Sequence, residues 1–127
     1  MGVPLEIDES GFPLLLVTFS GRITAEAIAA YYARVDVWFR ADQRVAVIID
    51  ITLLDVPSAS MRRIFSDATA ARLPVIARRC AGVAVVNSAV LRGIVTALSW
   101  INPPKHPQVE VATVREARRA CQVWLAD

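Results

Sequence analysis

The chain alternates short apolar runs with longer stretches in which apolar residues recur every three or four positions. "VPLEI" and "FPLLLVTFS" are β-rich runs separated by "DESG", whose Asp, Ser and Gly favour a turn, so residues 3–7 and 12–20 are expected as a hairpin. Pro4 and Pro13 fall near the strand starts, where a missing N–H is tolerable on an edge, which puts the hairpin at one margin of a sheet. Gly21 breaks the second strand and Thr24 is placed to cap a helix over 25–40. There Ile28, Tyr31, Tyr32, Val35, Trp38 and Phe39 share one face, with Asp36 and Arg40 as an outer i,i+4 pair.

"VAVIID", 45–50, has no polar alternation and reads as a central strand covered on both faces. The segment 51–60 is expected as a loop, with Ser58 or Ser60 capping a second helix whose buried stripe is Met61, Ile64, Phe65 and Ala68. Pro74 is costly inside a helix, by ~3 kcal/mol, so a break is expected near Leu73 with a short helical piece to Arg79. "GVAVVN", 82–87, is a further buried strand, and 89–101 a helix with Leu91, Ile94, Val95 and Leu98 inward. "NPPKHP" terminates it, "QVEVA" alternates as a half-exposed strand, and Thr113-x-x-Glu116 forms a capping box before a last helix with Ala117, Cys121 and Trp124 inward. The order β-β-α-β-α-β-α-β-α implies an α/β fold with a mixed, mostly parallel sheet of about five strands and about four main helices.

Residues 1–127 suit a single domain, and a hydrophobic fraction of 55% points to a much-buried sheet or an apolar face kept for a partner. A formal net charge of +2 gives no strong field for nucleic acid or an anionic membrane surface. Lys105 is the only lysine among 14 basic residues, and the Arg pairs at 62–63, 78–79 and 118–119 read as solvated helix faces. No apolar run approaches the ~18 residues of a bilayer span, and "MGVPLEIDES" lacks the marks of a secretory signal. Cys80 and Cys121, each in an apolar context, are expected as buried free thiols in a reducing cytosol.

Four segments in the same order resemble STAS domains, the anti-sigma-factor-antagonist (SpoIIAA-like) family. "VTFSGRITAEAIAAYY" resembles the opening strand, Gly turn and Ala-rich helix of that family, and "VAVIIDITLLDVP" its central strand. "VAVVNSAVLRGIVTALSW" is similar to its Val-Asn-x-x-x-x-Arg turn, and "VEVATVREARRAC" to its closing strand and capped helix. The resemblance implies a β-α superhelix and a cytoplasmic regulatory module, without a cofactor, that binds a protein partner or itself as a homodimer. It also implies Ser58 and Ser60 as phosphoacceptors, although "DVPSASM", 55–61, displaces the Asp and lacks the Gly of the family's Asp-Ser-Ser-Gly motif.

Catalytic patterns are scarce. His106 is the single histidine, so neither a zinc ligand set nor a Ser-His-Asp triad assembles readily. The five glycines form no dinucleotide or phosphate loop. Asp50 and Asp55, at the carboxyl edge of a parallel strand, are either loop-ordering residues or the start of a site. Asn87 and Ser88 either cap the following helix or, with Arg92 one turn on, hold a phosphate or small anion. Trp100 either covers the sheet edge or joins a contact patch. A small-ligand site near Asp50, Asn87 and Arg92 is the alternative to partner binding, and an enzyme using Asp50 or Asp55 the third reading.

Overall fold

A computed structural model describes residues 4–88, 91, 93 and 106–127. Strands β1 (Leu5–Asp8), β2 (Leu14–Gly21), β3 (Val45–Leu54), β4 (Cys80–Val86) and β5 (Gln108–Val111) lie side by side in chain order. The β1–β2 hairpin is antiparallel, and β2–β3, β3–β4 and β4–β5 are parallel. The mixed, mostly parallel sheet is as expected, with β1 at its margin and β3 in the middle. Three helices fall among the described residues: α1 (Ala25–Trp38), α2 (Ala59–Arg79) and α3 (Val114–Ala126). The helix expected over 89–101 lies outside them.

The sheet buries two faces because β3 is apolar at both alternations. Odd-numbered Val45, Val47 and Ile51 join Leu15, Val17 and Phe19 of β2 against Tyr31, Val35 and Trp38 of α1. Even-numbered Ala46 and Ile48 join Leu14, Ala84 and Val86 against Ala117 and Cys121 of α3. Small residues on this second face let α3 come close: a Cβ built on Gly82 would stand 2.3 Å from Cε3 of Trp124. Tyr31 knits the first face together, edge-on to Phe19 at 5.4 Å and stacked on Phe65 of α2 at 6.2 Å between centroids.

Four local expectations are corrected. Segment 51–54 continues β3 instead of looping, since Ser20 and Gly21 still pair with Leu53 and Leu54 after a register shift. No break occurs at Leu73, because Pro74 sits on the exposed side of α2. The Ala70 carbonyl that loses its N–H partner there belongs to an exposed residue, where water can replace the bond. Ile64 is 38% exposed and not part of the buried stripe. The expected Asp36–Arg40 ion pair is also replaced: the Asp36 carboxylate takes Nε of Arg72 at 2.7 Å and its Nη2 at 3.1 Å, clamping α1 to α2. Arg40 reaches only the Asp36 carbonyl, at 3.2 Å.

Candidate functional site

Parallel pairing places the carboxyl ends of β2 to β5 on one rim, so the turns that follow them gather there. Gly21 leaves β2 at φ 65°, a left-handed conformation that a side chain disfavours. Its carbonyl accepts the Asp55 N–H at 3.0 Å, tying the turn after β2 to the turn after β3. Thr24 then caps α1, accepting from Ala27 N–H at 3.1 Å, and Ser58 caps α2, accepting from Met61 N–H at 3.2 Å. Two helix N-termini, each a partial positive charge, thereby flank one shallow cleft. Arg22, Thr24, Asp55, Val56, Pro57 and Ser58 line it. Beside it, Leu53 is 73% and Val56 57% exposed, large apolar side chains held out from the rim.

Behind the rim, between α2 and the sheet, lies a cavity of about 180 Å³. Its walls are mostly apolar: Phe19 and Ile51 from the sheet, Ile28 from α1, Phe65 from α2, and Leu91. Arg62, Ser66, Thr69 and Gln108 are its polar lining. Thr69 bonds the Tyr32 hydroxyl and donates to the Phe65 carbonyl at 3.0 Å, and burial pushes the Tyr32 phenol above its usual range.

No family model and no curated protein matches the sequence. Solved structures do match the fold. An uncharacterised protein with a SpoIIAA-like fold from Shewanella loihica superposes with a TM-score of 0.67 at 16% identity, over 92% of this chain and 91% of that one. An anti-sigma factor antagonist from Mycobacterium paratuberculosis superposes with a TM-score of 0.54 at 18% identity, over 96% of this chain and 99% of that one. The fold is STAS-like. The resemblance drawn from four sequence segments thus holds for the fold along nearly the whole chain.

Within this fold, the residues singled out by sequence fall into separate groups. Asp55 and Ser58 share the cleft, joined by Arg22, which sequence reasoning passed over. Ser60 is exposed in the first turn of α2. Asp50 spends Oδ1 locally, accepting from Thr52 N–H at 3.0 Å and Thr52 Oγ1 at 2.8 Å. Asn87 is likewise engaged: its Nδ2 donates to Glu110 Oε2 at 2.7 Å and its Oδ1 accepts from Ser88 N–H at 2.8 Å. Arg92 and Trp100 lie outside the described residues.

The remaining reactive groups of the domain are quiet. Burial pushes the Cys80 thiol up to about 12 and the Cys121 thiol up to about 11, so both remain protonated at neutral pH. Among the described residues no three His, Cys, Asp or Glu side chains cluster as a metal site would need. Among the same residues no helix is long and apolar enough to cross a membrane.

Proposed function

We propose that this STAS-like domain works without chemistry of its own, as a regulatory module that binds a protein partner at the rim where β3 passes into α2. The observation that carries the reading is the exposure of Leu53 and Val56, at 73% and 57%, beside the Ser58 cap. Exposed large apolar residues next to polar groups have the composition of an interface core with its rim. The structural neighbour that is an anti-sigma factor antagonist supports the same reading. The local engagement of the Asp50 carboxylate also favours it over catalysis by that residue. Cys80 and Cys121, free and buried, suit a reducing cytosol.

Ser58 and Ser60 are the phosphoacceptors of this reading. A phosphate on either would add about −1.5 to −2 charges at the N-terminus of α2, where the helix dipole favours negative charge. It would also change the charge of a surface flanked by Leu53 and Val56. Mass mapping after incubation with protein kinases reads this directly, and phosphate found only on other residues rejects it.

Partner binding is tested with three forms of the full chain used as cross-linking baits. The wild type and Val123→Asp, altered at a residue 63% exposed on the far helix α3, are expected to retain one common partner. Leu53→Asp/Val56→Asp is expected to lose it. A partner held equally well by the rim variant overturns the proposal.

A further inference from the structure

Helix α2 is 21 residues long, yet Ser66 is its only buried residue. Its inward apolar side chains, Met61, Phe65, Val75 and Ile76 among them, pack on the core while staying half-buried. Beneath the helix lies the 180 Å³ cavity, which Phe65 lines together with Ile51 and Val85 of the sheet. An apolar cavity of ~150 Å³ holds a benzene ring and stays dry when empty, so this one accommodates roughly six to eight carbon atoms.

The polar lining is not neutral. Arg62 is half-buried in the first turn of α2, and one of its N–H groups donates to the Pro57 carbonyl at 2.8 Å. A guanidinium carries five donors, so that bond leaves others for a ligand. Among the described residues Arg62 is the only charged one lining the cavity, and no carboxylate among them offsets its charge. A cation at the edge of an apolar chamber suits an amphiphile with a single negative head.

We propose that the cavity binds a small apolar carboxylate, its six-to-eight-carbon body between Phe65, Ile51 and Val85 and its carboxylate on Arg62. The site goes beyond partner binding and rests on separate residues, so loss of rim binding in Leu53→Asp/Val56→Asp leaves it untouched.

Octanoate and uncharged octanol are the probes, read by titration calorimetry and by the methyl NMR signals of Ile51, Val83 and Val85. Octanoate is expected to bind saturably, to shift those methyls and to raise the melting temperature. Octanol is expected to bind about tenfold more weakly, the equivalent of one charge-assisted hydrogen bond. Arg62→Met is expected to bring octanoate down to the affinity of octanol. Val83→Phe, which places a ring in the chamber, is expected to abolish binding of both. Arg62→Met alters a half-buried position and so reads the head-group contact even if Val83→Phe folds poorly. Equal affinity for the two probes in the wild type, no methyl shift with octanoate at millimolar concentration, or undiminished binding by a folded Val83→Phe overturns the proposal.

Discussion

Single atoms decide several features of this domain. Gly82 exists as a clearance: Trp124 of α3 occupies the space a Cβ would need, at 2.3 Å. Gly82→Ala is therefore expected to destabilise by about 1–3 kcal/mol through overpacking, measured by urea unfolding. The added change Trp124→Leu is expected to recover part of that loss, since the two positions share one contact. His106 supplies a second test. Burial holds its imidazole below the usual value of 6.5, against the raising effect of its bond to the Pro107 carbonyl. The unfolded chain then binds the proton more readily than the folded one, so stability falls as pH drops below about 6.5 toward the lowered folded value. Melting temperatures from pH 7 to 5 are expected to decline, and His106→Gln is expected to flatten that segment. A decline of the same size in His106→Gln would assign it to other groups.

At the scale of elements, caps and periodicity made most helices legible beforehand. Thr24 and Thr113 cap as their positions suggested, and the stripe from Ile28 to Trp38 is the buried face of α1. The errors came where local preference met a neighbour. Pro74 argues for a break by its own chemistry, yet an exposed position lets the helix continue past it. Pro74→Ala is accordingly expected to raise stability by about 2 kcal/mol, the helix-interior penalty less the gain in unfolded-state freedom. Far-UV circular dichroism should show no loss of helix. Residues 51–54 likewise read as loop, but pairing with Ser20 and Gly21 extends β3. That extension is what lifts Leu53 and Val56 to the rim.

Across the whole molecule, ion pairs join elements distant in sequence. Arg72 of α2 holds Asp36 of α1 through the Nε–Nη2 edge of its guanidinium and lies 4.7 Å over the Tyr32 ring. Arg34 of α1 similarly holds Glu9 in the turn of the hairpin, with bonds of 2.6 and 2.7 Å. Their hydrogen bonds to Arg72 and Arg34 lower both carboxyl pKa values. Stability from them is complete above the ordinary carboxyl range near pH 4 and is lost as pH falls through the lowered folded values. Asp36 keeps 42% of its side chain in solvent, so screening limits its pair to at most about 1 kcal/mol. Asp36→Asn should lower the melting temperature modestly at pH 7 and make little difference at pH 2.

The sequence by itself determined the alternation of strands and helices, the two-sided burial of β3 and the rim location of Asp55 and Ser58. Each follows from residue spacing and cap chemistry, which act over a few positions. Tertiary structure alone decided that Asp36 reaches Arg72 instead of Arg40, that Asn87 answers to Glu110, and that α2 stands off the sheet around a cavity. Those outcomes depend on which surfaces meet and how well their volumes match. Neither is written in any local pattern, because a pattern shows which side of a helix turns inward but not how much space it finds there.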